Sequence, residues 1–165
     1  KEGRVIEVEY PSFTLLNIYF PNGSSREERL RYKLEFYREF LAYIVKLREE
    51  GKKVIFCGDV NTAHTEDDLA RPKENAGVSG FLPIERDWID LVLEADFLDT
   101  FRLFHEGNGY YTWWDMKTRA RDRNVGWRLD YFFVSKELRK RVIDASIFSE
   151  MPGSDHCPVT LMLSV

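Results

Sequence analysis

Asp59 and Asn61 directly follow an apolar run, residues 53–57, in the segment FCGDVNTAH. The run predicts a short strand buried on both faces, and side chains at i and i+2 of an extended backbone lie on the same side. Both would project from the strand's carboxyl end, where open α/β sheets hold ligands. A carboxylate can accept a proton or bind a hard cation, and an amide can orient a water. The pair also fits an Asx-turn, because Asp and Asn favour loop starts.

Asp155 and His156 are adjacent in the segment GSDHCPV, residues 153–159. Neighbouring side chains tend to point apart, so each is expected to pair with a group elsewhere in the chain. A histidine between a tight turn and a final strand can serve as a general base or as a donor to a transition state. The same two residues also fit a surface turn capped by an aspartate.

Asp130 lies inside an apolar strand, between Leu129 and Tyr131. An unpaired buried carboxylate is costly, so Asp130 needs a partner. An imidazole is one candidate, because a chain from aspartate to histidine to substrate recurs in enzymes. A salt bridge to a nearby arginine such as Arg128 is the other.

A basic and aromatic segment, YTWWDMKTRARDRNVGWR, covers residues 111–128. Basic side chains contact phosphates, and aromatic rings stack on bases or wedge beside them. The spacing R-x-R-x-R predicts arginines on one side of an extended loop. A solvated loop with tryptophans in the core would have the same composition. The cations are Lys117, Arg119, Arg121, Arg123 and Arg128, and the rings are Trp113, Trp114 and Trp127.

Two polar residues lie at predicted rims. Tyr19 ends a strand just before the turn at residues 21–23, where its hydroxyl could reach a phosphate or pack at a sandwich edge. Asn75 lies in a long loop, where it fits either a rim contact or ordinary turn chemistry.

The elements that must position these residues follow from hydrophobic periodicity. Strands are predicted at residues 4–10, 13–19, 53–57, 110–114, 128–135, 143–149 and 158–165, and helices at residues 25–50 and 85–95. Strands outnumber helices, and helical crossovers occur between them. The pattern predicts an α/β protein with a mixed β-sheet and flanking helices.

Composition excludes several classes of protein. The chain has 165 residues, of which 44% are apolar and 32% charged, so it is globular rather than disordered. No apolar run approaches the ~20 residues that span a membrane. The net charge of −4 argues against a general nucleic-acid coat but not against a local basic surface. The two cysteines, outside any metal-binding spacing, are expected to be reduced thiols of a cytoplasmic protein.

Together these segments strongly resemble the exonuclease III family of apurinic/apyrimidinic endonucleases, within the DNase I-like phosphohydrolases. The resemblance covers essentially all 165 residues in order and is closest to prokaryotic members, archaeal ones included. It implies a four-layer α/β sandwich with the active site at one end, and a cytoplasmic, nucleoid-associated enzyme. The matching stretches are NIYFPNG (17–23), GDVNTAH (58–64), ARPKEN (70–75), GFLPIERDW (80–88), DTFR (99–102), YTWW (111–114), ARDRNVGWRLDYFFVS (120–135) and GSDHCP (153–158).

The resemblance implies catalytic roles for five residues. Tyr19 resembles the tyrosine that approaches the target phosphate. Asp59 and Asn61 resemble the pair that activates or positions the attacking water. Asp130 resembles the carboxylate that holds the catalytic histidine, here His156. Whether Asp59 or His156 is the base stays open.

It also implies a metal and a DNA surface. Asp155 resembles the aspartate beside the histidine that is placed near Mg²⁺ (or Mn²⁺). The residues expected to bind double-stranded DNA with abasic sites are Asn22, Asn75, Trp113, Lys117, Arg121, Asn124, Trp127, Arg128 and Leu129, with Trp113, Trp127 and Leu129 resembling the pocket for a base-less deoxyribose.

Two motifs of the family, S-W-N-x-N-G and the L-Q-E whose glutamate holds Mg²⁺, do not occur here. We therefore expect residues 1–165 to be the C-terminal part of a single endonuclease/exonuclease/phosphatase domain. The expected reaction is Mg²⁺-assisted hydrolysis of phosphodiesters 5′ to abasic sites and at 3′ ends, and we expect the chain as given to be weakly active or inactive without that glutamate. Two alternatives stay open: a superfamily member that acts on inositol phosphates or sphingomyelin, and an inert fragment that self-associates or pairs with the missing N-terminal part.

Overall fold

The computed structural model describes residues 2–24 and 26–164. Strands and helices lie close to their predicted places, and short 3₁₀-helices lie between them. The strands are β1 (Val5–Tyr10), β2 (Phe13–Ile18), β3 (Val54–Asp59), β4 (Phe97–Asp99), β5 (Trp113–Trp114), β6 (Gly126–Trp127), β7 (Asp130–Ser135), β8 (Val142–Ile147) and β9 (Val159–Leu163). The α-helices are α1 (Glu27–Glu49), α2 (Pro72–Asn75) and α3 (Pro83–Glu94), and the 3₁₀-helices are Glu66–Asp68, Phe101–Leu103, Ala120–Arg123 and Lys136–Arg141.

A five-stranded mixed sheet in the order β1-β2-β3-β7-β4 organises the described chain. Strands β2 and β3 are parallel and are joined through α1, whereas β1 pairs with β2, and β7 with β3 and β4, in antiparallel register. A parallel connection needs a crossover of this kind. Two small antiparallel sheets, β5-β6 and β8-β9, complete the strand pairing.

Helices α1 and α3 cover one face of the large sheet. Their apolar side chains meet those of β2, β3 and β7 in an aromatic-rich core. Phe56 of β3 stacks on Phe133 of β7 with ring centroids 4.8 Å apart, and Tyr37 of α1 stacks on Trp88 of α3 at 4.1 Å. Each such side chain contributes about 1.5–3 kcal/mol when buried, so this layer holds the carboxyl end of β3 in place.

The opposite face of the large sheet is only partly covered. Strand β9, the 3₁₀-helix Lys136–Arg141 and their neighbours pack over its β3-β7 part. Farther along, β1 presents Ile6, Val8 and Tyr10, which are 64%, 40% and 48% exposed. The register places Val8 opposite Leu15 and Tyr10 opposite Phe13, so these side chains form one apolar surface, here called the open face.

Predicted and observed elements differ mainly at their ends. The segment predicted as a strand from residue 110 is extended only at Trp113–Trp114, and β4 and β6, three and two residues long, carry too little periodicity to be predicted. The R-x-R-x-R stretch is a 3₁₀-helix, Ala120–Arg123, rather than an extended loop. Within the described residues, no helix has the length and apolar character to cross a membrane.

Candidate active site

A tight turn at the carboxyl end of β3 brings Asp59 and Asn61 together. The Asp59 carboxylate accepts hydrogen bonds from the Asn61 backbone N–H at 2.8 Å and from its Nδ2 at 2.9 Å. Asn61 has φ 57, a left-handed conformation that asparagine tolerates better than most residues. The pair therefore meets through an Asx-turn, and the prediction of a shared side along extended backbone was wrong.

Gly58 allows the approach that precedes this turn. A Cβ at this position would lie 1.9 Å from the carbonyl oxygen of Ile18, and φ is +133. Since only glycine fits there, the residue type before Asp59 is dictated by the packing of β3 against the end of β2.

Asp130 and His156 form a second pair, beside the first. The register of β3 and β7 sets Asp59 directly opposite Asp130. His156 Nδ1 lies 2.8 Å from Asp130 Oδ2. Of the two partners considered for Asp130, the structure selects the imidazole, as expected for an orienting carboxylate.

The electrostatics of the two pairs are complementary. Burial, together with the nearby Asp130 charge, raises the pKa of Asp59 to about 7. Burial lowers the pKa of His156, but its hydrogen bond to Asp130 and the surrounding carboxylates outweigh this and raise that pKa overall. The site thus pairs a carboxylate that exchanges protons near neutral pH with an imidazole that tends to keep its proton.

Asp155 and His156 have different partners, as predicted, and Asp155 pairs with Trp113. The Trp113 indole Nε1 donates to Asp155 Oδ2 at 3.0 Å. Burial raises the pKa of Asp155, but the indole hydrogen bond, together with the nearby backbone N–H, His156 and Ser154, lowers the pKa overall. Asp155 is therefore a fixed, ionised carboxylate.

An apolar pocket lies next to these charges. Leu129 is buried, and Trp113 and Trp127 pack half-exposed against it and against Phe81. The antiparallel pair β5-β6 sets Trp113 directly opposite Trp127. This pocket holds two aromatic faces within the same hollow as the titratable groups.

Most of these side chains line one open cleft of about 650 Å³. Four of the five residues with predicted catalytic roles, Tyr19, Asp59, Asn61 and His156, lie along it although they are far apart in the chain. The fifth, Asp130, does not line the cleft and meets it through its contact with His156. The predicted residues that line the cleft are Tyr19, Asn22, Asp59, Asn61, Asn75, Trp113, Trp127, Leu129, Asp155 and His156.

Comparison with known proteins identifies the family. A model of the endonuclease/exonuclease/phosphatase family matches residues 2–156. The chain belongs to this family. It is 43% identical to an exodeoxyribonuclease of Bacillus subtilis over 100% of the chain and 66% of that protein, and 45% identical to DNA repair nuclease APEX1 of Danio rerio over 100% of the chain and 53% of that protein.

Solved structures of the endonuclease/exonuclease/phosphatase family share the fold. The chain matches an AP endonuclease from Archaeoglobus fulgidus with a TM-score of 0.89 at 26% identity, covering 98% of the chain and 65% of that structure. It matches the Neisseria 3′ phosphatase NExo bound to a product DNA hairpin with a TM-score of 0.91 at 25% identity, with the same coverage. The predicted family and its DNase I-like α/β sandwich are thereby confirmed. The chain spans about two thirds or less of these proteins.

Several residues predicted to bind DNA in this family member lie outside the cleft. Arg128 is fully buried and pairs with Asp68 and Asp99 at 2.8 Å and 2.7 Å, so the prediction that it contacts DNA was wrong. The salt bridge considered between Asp130 and Arg128 does not form, because Arg128 pairs with two carboxylates that only the fold brings near.

Arg121 and Asn124 also serve the fold. Arg121 stacks over Trp114 and donates to the backbone carbonyls of Ser149 and Met151. Asn124 donates to the Gly109 carbonyl and accepts from the Trp114 indole. Both residues lie outside the cleft, and their contact with DNA stays a prediction. Lys117 is exposed near the cleft and remains a predicted DNA contact.

Sequence reasoning missed two cations. Arg71, with φ 58, lines the cleft beside Asn75. Its position within ARPKEN was the available signal. Lys33 is fully buried below the Asp59–Asn61 turn. It falls on the apolar face of α1, where a lysine in the helical repeat was itself a signal.

The donor types in the cleft fit a hard cation. Carboxylate and amide oxygens of Asp59, Asn61 and Asp155 lie along it, and such oxygens are preferred by Mg²⁺. Within residues 2–24 and 26–164, no three His, Cys, Asp or Glu side chains are grouped closely enough to hold a metal. Asp155 stays the residue predicted to hold a cation.

Proposed function

We propose that the protein hydrolyses DNA phosphodiesters 5′ to abasic sites and at 3′ ends, with Mg²⁺ (or Mn²⁺) as cofactor and double-stranded DNA as partner. One observation carries the proposal. The Asp59 carboxylate and the His156 imidazole, which Asp130 holds, share one cleft with the apolar pocket of Trp113 and Leu129. Titratable groups that can act on a phosphate therefore lie beside an apolar surface that suits a deoxyribose without its base. The names of the relatives support DNA over soluble phosphoesters.

Asp59 is the general base in this proposal. Asn61 occupies one lone pair on each Asp59 oxygen and thereby fixes the carboxylate plane. The remaining lone pairs can accept a proton from water. A pKa of about 7 matches a base that must take up and release a proton near neutral pH.

His156 stabilises charge on the phosphate. Its Nδ1 is held by Asp130, which leaves Nε2 as the free donor of the imidazolium. A donor already oriented before the reaction costs little reorganisation when negative charge develops. Tyr19, 57% exposed at the rim, offers its hydroxyl to the same phosphate.

A divalent cation, held in part by Asp155, would supply Lewis-acid polarisation of the phosphate. The Trp113 hydrogen bond keeps Asp155 oriented for this role. Donors that orient a metal-binding carboxylate in this way tune the affinity for the metal.

Cleavage of defined substrates tests the proposal. A duplex with one abasic-site analogue should be cut at its 5′ side in Mg²⁺, the undamaged duplex only from its 3′ end, and an inositol phosphate not at all. Asp59→Ala should abolish cutting by at least about 100-fold. Preference for the inositol phosphate would overturn the assignment. Turnover by the 165-residue chain itself, absent in Asp59→Ala, would refute the inert-fragment alternative.

The open face is proposed as an association surface. Ile6, Val8 and Tyr10 present apolar area on an edge strand, a feature that favours association. In a longer protein a preceding segment would cover it, and in the isolated chain a second copy would do so. Light scattering of the 165-residue chain should show dimers or larger species that dissociate in Val8→Lys, and a monomer at all concentrations would contradict self-association.

With DNA as substrate, we propose a cytoplasmic, nucleoid-associated location.

A further inference from the structure

Buried side chains bind the backbone of the turn that carries Asn61. Three successive carbonyl oxygens each accept a hydrogen bond from a side chain of another element. These bonds join Tyr37 Oη to Val60 at 2.9 Å, Lys33 Nζ to Asn61 at 2.7 Å, and Tyr131 Oη to Thr62 at 2.9 Å. Since the donors come from α1 and β7, the turn is fixed from below by the helix layer and from the side by the sheet.

Lys33 is the only ammonium in this set of donors. It is fully buried and also donates to Thr62 Oγ1 at 2.9 Å and to Glu85 Oε1 at 2.6 Å. Burying an ion pair is costly, and apolar replacements of similar volume are often no less stable. Stability alone is therefore a weak reason for an ammonium at this point of the core.

Glu85 extends the network to a neighbouring loop that also lines the cleft. Besides Lys33, it accepts hydrogen bonds from Ser79 Oγ at 2.9 Å, Gly80 N at 2.6 Å and Leu82 N at 3.0 Å. Ser79 and Gly80 line the cleft. One buried ion pair thus connects the Asn61 backbone to the neighbouring loop that carries Ser79 and Gly80.

We propose that Lys33, held by Glu85, is a positioning residue that keeps Asn61 in its left-handed conformation and thereby orients the Asp59 carboxylate. This inference rests on the proposed function for the roles of Asp59 and Asn61. Lys33 does not line the cleft, and its hydrogen bond to the Asn61 carbonyl is its contact with the residue that holds Asp59. A non-glycine residue in this conformation persists when its surroundings over-determine it, and the Lys33 ammonium supplies a charge-assisted bond at that residue.

A double variant, Lys33→Met/Glu85→Gln, tests the inference. Lys33→Met alone would leave Glu85 charged and unpaired in the core and could prevent folding. Glu85→Gln removes that charge. Methionine and glutamine are close in shape to the lysine and the glutamate that they replace. Arg48→Met is the matched control, because Arg48 is also on α1 and also donates to a backbone carbonyl, that of Ala95, and to a carboxylate, that of Glu137.

Kinetics on the abasic duplex should separate positioning from packing. We expect the double variant to lose between about 10-fold and 100-fold in kcat, as small misplacements of catalytic groups do, with KM unchanged. Arg48→Met should keep kcat. In an Asn61→Ala background the double variant should lose almost nothing further, because its effect passes through Asn61. An undiminished kcat, or a loss of full size in that background, would overturn the inference while leaving the proposed function intact.

A crystal structure of the double variant gives a readout independent of activity. Asn61 should leave φ 57, or its Nδ2 should lose the 2.9 Å contact with Asp59 Oδ2. An unchanged turn would reject positioning by Lys33. If the wild-type protein cut no DNA, the proposed function would fail, and this structure would still decide the role of Lys33.

Discussion

Replacing Asp59 by asparagine should stabilise the protein while it abolishes cleavage. Burial and Asp130 raise the pKa of Asp59 from 3.8 to about 7, so its ionised form is disfavoured in the folded state. A raised carboxyl pKa means that stability is highest when the group is protonated. Ionisation of Asp59 therefore begins to reduce the free energy of unfolding above the pKa of the unfolded state, near pH 4. The reduction grows until about pH 7 and is constant at higher pH. The amide introduced by Asp59→Asn would carry no charge at any pH.

The magnitude follows from the same pKa. Each unit of pKa corresponds to about 1.4 kcal/mol, so ionised Asp59 costs about 4 kcal/mol at pH 8. An asparagine at position 59 has only one acceptor oxygen, so one of the two hydrogen bonds from Asn61 is lost. That loss lowers the free energy of unfolding by about 1–1.5 kcal/mol. Water in the cleft screens a further part of the penalty, because Asp59 is only partly buried. We expect a net gain of about 2 kcal/mol at pH 8, or roughly 4–8 °C in Tm.

Urea unfolding in EDTA, at pH 8 and at pH 5, measures the effect without bound cation. The variant should be more stable at pH 8, and the difference should shrink towards zero at pH 5. Asp155→Asn is the matched control, since the pKa of Asp155 is lowered and its replacement should destabilise at pH 8. An Asp59→Asn variant that is no more stable than wild type at pH 8, or a gain independent of pH, would refute the reasoning.

Three further substitutions test other features. Arg128→Met leaves buried Asp99 without its ion-pair partner and Asp68 with Arg102 alone, so urea unfolding should show a loss of about 3–5 kcal/mol; a neutral effect would contradict the burial of that ion pair. Trp113→Phe removes the hydrogen bond to Asp155 and should raise the Mg²⁺ concentration for half-maximal cleavage about 10-fold, whereas an unchanged titration would reject that role. Gly58→Ala places a methyl group 1.9 Å from the Ile18 carbonyl oxygen, so soluble protein with a native circular dichroism spectrum would refute the close approach.

Much of the architecture could be predicted because it is local. Period-two runs indicate β1, β2 and β7, and the apolar stripe of α1 indicates a helix that packs on a sheet. Strands β4 and β6 escaped prediction because they are short and owe their conformation to pairing with distant segments. Periodicity needs more residues than these strands have.

Residue types and spacing, read with the resemblance they carry, determined which side chains form the candidate site. They did not determine how those side chains are paired. Asp130 contacts His156, whereas Arg128 is buried and pairs with Asp99. Strand register and packing decide between these partners, and the sequence alone does not. Lys33 shows the same limit, since its position on an apolar helix face says nothing of the Asn61 carbonyl it meets. Pairing between charges depends on distance and burial in space, and only the tertiary structure supplies both.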